Sequence, residues 1–403
     1  MKRRAFVGVC GGMATSLTGC LGGQENNEEI APGEELWRYE TDDWLYSSPT
    51  IVDGVVYFGS HDWQIHAVHA ESGEPTWDEP YDIGWIIWAS VTVQDGVAYI
   101  TAEDANLHAV DVETGEAVWD EPFGTNGYIW SSPTIADGFV YFGSRDHHMY
   151  AVDAERGELA WEEPIETEDN VDTSPVVSDG MVFFASYDGT VYAVDASTGD
   201  FLWNEPFETD DSIFSSPTVA DGTVYIGSFD NHLYALEAES GELAWDDPFE
   251  TGHEIRSSPT VADGTVYVGS RDHNLYAIDA ESGEMRWDNP FTTGDSVNSS
   301  PTVAGGVVFV GSRDSHVYAI DTETGEQVWD EPFETDDMIA ASSPTVVDGV
   351  LFIASWDNNL YAINTGIDGS SDGSRVRLGT LGHHHDWAGT EPQSLDTPPR
   401  EMI

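Results

Sequence analysis

Residues 257–287 are SSPTVADGTVYVGSRDHNLYAIDAESGEMRW, and this stretch decides the fold. Asp263-Gly264, between two apolar runs, is typical of a two-residue type I′ hairpin. The alternating apolar runs on its two sides predict short strands. A turn then leads to a third strand at 275–279, and a second turn leads to an outer strand at 284–287 that ends on a tryptophan. Four short antiparallel strands joined by tight turns are the pattern of one β-propeller blade.

The same pattern recurs along the chain with a period of 42 residues. Tryptophan marks this period at Trp77, Trp119, Trp161, Trp203, Trp245, Trp287 and Trp329. The Ser-Ser-Pro-Thr element begins at 47, 131, 215, 257, 299 and 342, with degenerate copies at Ala89 and Thr173. One blade cannot bury both of its faces alone. The eight copies therefore predict an all-β, eight-bladed β-propeller over residues 34–366, built of four-stranded antiparallel blades.

The two ends of the repeat array predict how the ring closes. The eighth copy runs through Leu360–Asn364 and then lacks the tryptophan strand. A matching segment, with Trp37 at its centre, precedes the first copy. We therefore predict that residues 34–40 form the outer strand of blade eight.

The charge of the chain indicates adaptation to high salt. There are 75 Asp and Glu against 13 Lys and Arg, a formal net charge of −62, and Lys2 is the single lysine. Self-repulsion of this size weakens a compact fold unless salt screens it. The alternative, a disordered acidic protein, is disfavoured because the acids are spaced evenly among 12% aromatic residues. The sequence thus predicts a halophile's protein, and nucleic acid is excluded as a partner because phosphate contacts need basic patches.

The N-terminus predicts export and lipid anchoring. Arg3-Arg4 precede a short Gly/Ala-rich apolar stretch, and Leu17–Cys20 resembles a lipobox. We predict a twin-arginine lipoprotein signal over 1–20 with Cys20 lipidated, which places the protein on the outer face of the cytoplasmic membrane. The alternative is that Arg3-Arg4 are ordinary charges of an n-region and Cys20 is an ordinary small residue. The flanking composition predicts a flexible tether over 21–33 and a disordered tail over 367–403.

The segment Ala277–Trp287 resembles the tryptophan-docking motif of pyrroloquinoline-quinone repeats, Ala-x-Asp-x-x-Thr-Gly-x-x-x-Trp. The motif matches again at 109–119, 193–203 and 319–329. His69, Glu237 and Asn364 replace the Asp of the motif, and Arg156 replaces the Thr. The resemblance implies that one tryptophan of each blade docks against the next blade. These are Trp37, Trp77, Trp119, Trp161, Trp203, Trp245, Trp287 and Trp329.

This family has two functional branches. Quinoprotein dehydrogenases hold pyrroloquinoline quinone (PQQ) and Ca²⁺ over the central channel, and alcohol-oxidising members stack the quinone on a disulfide of adjacent cysteines. This chain has cysteine at 10 and 20 alone, and no long insertions. The other branch resembles the non-catalytic propeller lipoprotein of the bacterial outer-membrane assembly machine, which is closer in size and blade count. We therefore expect a monomeric, non-enzymatic scaffold without a cofactor, and a PQQ-dependent dehydrogenase is the alternative.

The variable segments that follow each tryptophan share one face of the ring with the Ser-x-Asp turns, and we call this face the link face. Functional residues concentrate in variable loops on rigid scaffolds. The residue before each Ser-Ser-Pro element should line the channel mouth, and blades one to three are aromatic there. Around the ring these residues are Tyr46, Trp88, Trp130, Asp172, Phe214, Arg256, Asn298 and Ala341. Trp44 and Trp85 lie nearby in sequence.

Large aromatic side chains near an exposed rim favour binding of a protein or extracellular polymer partner. The alternative is that these rings only pack against the adjoining links. Arg145, Arg256, Arg271 and Arg313 also fall on the link face. They predict either a less acidic patch for an anionic ligand or, as we favour, pairing with the neighbouring Asp and the acidic links.

Other polar repeats predict structure rather than chemistry. The recurring Asp of the Ser-x-Asp turn, as at Asp272, is expected to cap its turn. Histidines such as His147 and His273 follow it, but Asn and Gly hold the same place in other copies. We therefore predict no metal site in these turns and no catalytic constellation.

Overall fold

The structure is a computed structural model, and it describes residues 30–371. The predicted signal peptide, Cys20, most of the predicted tether and nearly all of the predicted tail lie outside the described residues. Within the described range the chain is all-β and contains eight sheets. The same range contains no helix that is long and apolar enough to span a membrane.

Each blade has an inner, a second, a third and an outer strand. The inner strands are Thr50–Val52, Thr92–Gln94, Thr134–Ala136, Val176–Ser178, Thr218–Ala220, Thr260–Ala262, Thr302–Ala304 and Thr345–Val347. The second strands are Val55–Gly59, Val97–Thr101, Phe139–Ser144, Met181–Ala185, Thr223–Gly227, Thr265–Gly269, Val307–Gly311 and Val350–Ala354. The third strands are Gln64–His69, Asn106–Asp111, His148–Asp153, Thr190–Asp195, His232–Glu237, Asn274–Asp279, His316–Asp321 and Asn359–Asn364. The outer strands of blades one to seven are Tyr81–Asp82, Phe123–Gly124, Glu158–Leu159 with Ile165–Glu166, Phe207–Glu208, Phe249–Glu250, Phe291–Thr292 and Phe333–Glu334. The outer strand of blade eight is Glu35–Glu40.

The hairpin between the inner and second strands has the predicted turn. Asp263 has φ +47° and Gly264 has φ +70°, and Ala262 pairs directly with Thr265. Positive φ at both central residues is the type I′ turn, whose twist matches that of the flanking strands. The Asp-Gly signal therefore fixes the register of the first two strands in seven blades, and Gly305-Gly306, also with positive φ at both positions, takes its place in blade seven.

The outer strand departs from the sequence prediction. In blade six the segment 284–287 forms one isolated bridge, Met285 to Ile278, instead of a regular strand. Regular pairing comes later, where Phe291–Thr292 lies against Asn274–Leu275. Trp287, at the end of this segment, donates its indole N–H to the carbonyl of Thr322 in the next blade.

Ring closure is confirmed. Glu35–Glu40 pairs antiparallel with the third strand of blade eight, from Ile363 to Asn359, with an irregularity between Glu35 and Trp37. The chain start thus completes the last blade, and the Trp37 indole donates to the carbonyl of Ala70 in blade one at 3.0 Å.

Tryptophan docking joins the blades around the ring. Each of the eight tryptophans donates its indole N–H to a backbone carbonyl of the next blade, at 2.9–3.2 Å. In blade four, Trp203 also lies against Gly241 of blade five, where a Cβ would be 2.6 Å from the indole. The core is accordingly formed between blades. One cluster, for example, combines Val176 and Phe183 of blade four with Val224 and Leu236 of blade five.

Candidate functional site: the mouth of the central channel

Eight side chains, one from each blade, surround a cavity of about 120 Å³ on the link face. They are Tyr46, Trp88, Trp130, Asp172, Phe214, Arg256, Asn298 and Ala341. These are the positions that the repeat register predicts for the channel mouth. We call this space the mouth cavity; the role of its lining in binding stays a prediction.

A closed circle of serines forms the floor of the mouth cavity. Each serine amide donates to the hydroxyl oxygen of the serine in the next blade, at 2.9–3.3 Å. The eight members are Ser48, Ser90, Ser132, Ser174, Ser216, Ser258, Ser300 and Ser343. A serine hydroxyl has one hydrogen and two lone pairs. Every one of these oxygens accepts one amide, and its hydroxyl hydrogen has no acceptor among the described residues.

One wall of the cavity is a braced aromatic cluster. The Trp88 ring lies 4.6 Å from Tyr46, in an edge-on geometry, and 5.2 Å from Trp130. Both indoles donate to one carboxylate oxygen of Glu103, at 2.8 and 3.1 Å. The three rings are half-buried. The three rings pack against one another and still line the mouth cavity. They are therefore packed side chains and, at the same time, part of an accessible wall.

The next position around the ring, after Trp130, is a buried carboxylate. The side chain of Asp172 is 0% exposed, and Arg145 Nε lies 3.2 Å from its Oδ1 without the geometry of a hydrogen bond. Burial raises the pKa of Asp172 to about 6, against the opposing effect of the Arg145 charge. The Arg145 guanidinium in turn stacks over Trp130, 3.6 Å from the ring centre. Arg145 therefore bridges Asp172 and the aromatic wall.

The other arginines pair mostly with the links, as we favoured. Arg256 and Arg271 both bond to Glu254 in the link before blade six. Burial opposes ionisation of Glu254, but hydrogen bonds from both guanidinium groups outweigh it and lower the pKa of the carboxyl. Arg313 instead contacts the sulfur of Met338 at 3.4 Å. Of the four predicted arginines, Arg256 alone lines the mouth cavity.

Exposed aromatic side chains extend outward from the mouth. Trp44 is 46% exposed and Trp85 is 51% exposed. Trp44 stacks on Trp356 of blade eight, with ring centres 4.8 Å apart and planes at 3°. Trp63 and Tyr128, 52% and 49% exposed, lie on the same face and were missed in the sequence. They occupy turn and link positions that no other copy fills with an aromatic residue, apart from Trp44 at the position of Tyr128, and this contrast is the signal that could have found them. We call Trp44, Trp63, Trp85, Tyr128 and Trp356 the aromatic sector.

The sequence model of the family described as outer membrane protein assembly factor BamB matches residues 28–84, 81–172, 164–252 and 247–371. This chain belongs to the BamB family. Among solved structures, BamB from Moraxella catarrhalis is similar, with 20% identity, a TM-score of 0.68, and coverage of 82% of this chain and 96% of that one. The computationally designed Ika8 protein has 15% identity and a TM-score of 0.71, over 81% of this chain and 97% of that one. At these identities the similarity shows the fold alone. Curated proteins give no match.

The repeated aspartates of this BamB-family propeller cap turns, as predicted. Asp272 accepts the amide of Asn274 at 3.0 Å, and its other oxygen accepts the amide of Gly252 in the link at 2.7 Å. The hydroxyl of Tyr276 donates to the same carboxylate. His273 has φ +74°, the left-handed turn conformation that also suits Asn. Residues 30–371 contain no group of three or more His, Cys, Asp or Glu placed to hold a metal.

The charges of the mouth cavity suit PQQ poorly. This three-ring quinone carries three carboxylates, whereas the described lining contains one guanidinium, that of Arg256, together with the carboxylate of Asp172.

Proposed function

We propose that this protein is a non-enzymatic scaffold that binds a protein or extracellular polymer partner through its link face. The observation that carries this proposal is the aromatic sector, which lies next to the mouth cavity on blades eight, one, two and three. Monomeric proteins rarely expose such groups of large apolar side chains outside interaction sites. The family description, an assembly factor, supports a binding role for the propeller.

The contacts of the aromatic sector suit a preformed binding surface. Trp44 and Trp356 are already stacked, so little rotamer freedom remains to be lost when a partner covers them. Tryptophans are the side chains most enriched among residues that dominate interface affinity. Each buries about 150–250 Å² when covered.

The anchor and the surface charge complete the proposal. We propose export by the twin-arginine route and attachment through Cys20, which would hold the propeller at the outer face of the cytoplasmic membrane. At a net charge of −62 long-range repulsion of acidic partners would be strong in dilute buffer. In molar salt this repulsion is screened to about 3 Å, and short-range aromatic contacts then dominate binding.

The test is cross-linking in native membranes at high salt, followed by recovery of the protein and identification of what is attached. The double variant Trp44→Ala/Trp85→Ala removes exposed aromatics from the link face, and Trp88→Ala/Trp130→Ala/Arg256→Ala alters the mouth. Phe201→Ala is the matched control, because Phe201 is 57% exposed but lies on the outer strand segment of blade four. We expect the partner to be lost with the link-face variants and kept with the control. A partner retained by all variants would refute this face as the binding surface.

A further inference from the structure

Three exposed tryptophans of the aromatic sector lie around the Ser-x-Asp turn of blade one. The amide of His61 in this turn donates to the carbonyl of Trp44 at 2.9 Å, and the carbonyl of Trp63 accepts the amide of Ile83 at 2.9 Å. Trp85 follows Ile83 in the same link. Because two links meet one turn here, the three rings belong to one surface. We call Trp44, Trp63 and Trp85, which are 46–52% exposed, the tryptophan cluster.

Trp63 occupies a backbone position that does not suit a large side chain. Its φ is +76°, in the left-handed region, where bulky residues are uncommon. The other copies have small or polar residues there, namely Ala105, His147, Gly189, Asn231, His273, Ser315 and Asn358. At 52% exposure, Trp63 gains little packing that would offset this conformation. Residues held in such conformations are concentrated at functional sites, so the position favours a binding role for this ring.

The surroundings of the tryptophan cluster are acidic. Residues 39–144 contain 19 Asp and Glu and no Lys or Arg. The amide of Asp42 donates to the carboxylate of Asp62 in the blade-one turn at 3.4 Å, and Asp82 pairs with the residue that follows this turn. The carboxylates of Asp42 and Asp82 are exposed and take part in none of the ion pairs of the described chain. Charge complementarity therefore favours a cationic ligand at these rings.

Elsewhere in this propeller, arginines already combine a ring with a carboxylate. The guanidinium of Arg145 lies 3.6 Å from the ring centre of Trp130 and also faces Asp172 at 3.2 Å. The same arrangement recurs for Arg38 with Tyr361 and Glu35, and for Arg256 with Phe229 and Glu254. At the tryptophan cluster the rings and the carboxylates are present, and an arginine supplied by a partner would complete the arrangement.

Arginine suits this surface better than lysine does. A guanidinium stacks flat on an aromatic ring, binds a carboxylate through a fork of donors and is more weakly hydrated than an ammonium. In molar salt, charge alone acts over only about 3 Å. Stacking on an indole is a contact interaction, so it persists under these conditions.

We infer that the tryptophan cluster binds an arginine-containing segment of a protein partner. Its guanidinium groups lie on the exposed rings and pair with Asp42 and Asp82. This inference rests on the proposed function and narrows it, because it makes the partner of the link face a protein with a basic segment.

The test is isothermal titration calorimetry on the full chain in molar NaCl. The probe is a short peptide of alternating glycine and arginine. In the comparison peptides lysine, glutamate or serine replaces arginine, and a dextran oligosaccharide represents a neutral polymer. We expect the arginine peptide to bind, the lysine peptide to bind more weakly, and the other probes not to bind. An arginine peptide that does not bind, or that binds no more tightly than any of the other probes, would overturn the inference.

A variant without two of the rings locates the site. Trp63→Asn/Trp85→Ala should weaken binding of the arginine peptide about fivefold or more, since each exposed cation–π contact is lost. The fold should be kept, because Asn already occupies the position of Trp63 in blades five and eight. Phe201→Ala is the matched control, since Phe201 is 57% exposed and lies on an outer segment of blade four. Unchanged affinity in the double variant would place the peptide elsewhere and refute the assignment.

A second variant tests the carboxylates while the rings stay in place. Asp42→Asn/Asp82→Asn should weaken binding of the arginine peptide about twofold or more, because exposed ion pairs contribute modestly. Asp179→Asn/Asp221→Asn makes the same change of charge in exposed hairpin turns on the opposite face and should leave affinity unchanged. Equal effects of the two double variants would show that net charge, rather than these two carboxylates, attracts the peptide.

The result is separable from that of the membrane cross-linking. A partner lost with the link-face variants, together with no binding of the arginine peptide, would leave the scaffold proposal standing and reject the basic segment. Peptide binding weakened by Trp63→Asn/Trp85→Ala, with the cross-linked partner unaffected by any link-face variant, would support the arginine site and reject the scaffold surface.

Discussion

The contact between each docking tryptophan and the glycine of the next blade should control the stability of the ring. Gly241 has φ +75°, and a Cβ built on it would lie 2.6 Å from Cδ2 and 2.8 Å from Cε3 of Trp203. In Gly241→Ala the left-handed backbone costs about 1–2 kcal/mol. Forcing a methyl group into a packed contact adds about 1–3 kcal/mol. We therefore expect the free energy of unfolding to fall by about 2–5 kcal/mol.

A second glycine of the same blade supplies the control. Gly222 has φ +79°, and a Cβ there would have no heavy atom within 4 Å, so Gly222→Ala should cost about 1–2 kcal/mol for the backbone alone. The assay is urea unfolding in molar salt, followed by tryptophan fluorescence and circular dichroism. In a Trp203→Leu background the extra cost of Gly241→Ala should shrink, because its steric partner is gone. Equal losses for Gly241→Ala and Gly222→Ala would refute the docking argument.

Three further predictions follow from the ring and its charge. A truncated chain that starts at residue 42 lacks the outer strand of blade eight and should lose cooperative unfolding; a melting curve like that of the full chain would contradict closure by Glu35–Glu40. Dilution from molar salt into dilute buffer should unfold the propeller through self-repulsion, and native fluorescence retained there would count against salt adaptation. The folded protein binds a proton at Asp172 more tightly than the unfolded chain, since burial raises the pKa of this carboxyl to about 6. Ionisation of Asp172 thus lowers stability as pH rises from 4 to 7, and Asp172→Asn should be more stable than the wild type at pH 7 by up to about 3 kcal/mol, with no advantage at pH 4. A less stable variant at pH 7 would contradict this sign.

The repeat period predicted most of the architecture because each blade is specified locally. Asp263-Gly264 can adopt positive φ at both positions, which selects the hairpin wherever the pair occurs. The 42-residue spacing then repeats the blade, and the missing tryptophan strand of the last copy predicts its replacement by 34–40. The ring of mouth residues followed from the same register.

The outer strand was predicted less well. The segment 284–287 makes a single bridge at Met285, and regular pairing moves to Phe291–Thr292, beyond the docking tryptophan. A pairing segment of two residues is too short to show the alternation by which strands are recognised in a sequence.

The sequence by itself determined the strands, the turns, the number of blades and which residue of each repeat faces the channel, because these depend on alternation, turn chemistry and period. Apart from the tryptophan docking, which the family resemblance implied, the tertiary structure alone decided which side chains meet across blades. It brings Glu103 to both Trp88 and Trp130, and it places Arg145 between Trp130 and Asp172. It also joins the eight serines into a closed circle. Each of these groups spans more than one repeat, and its geometry is set by the curvature of the closed ring, which no single repeat encodes.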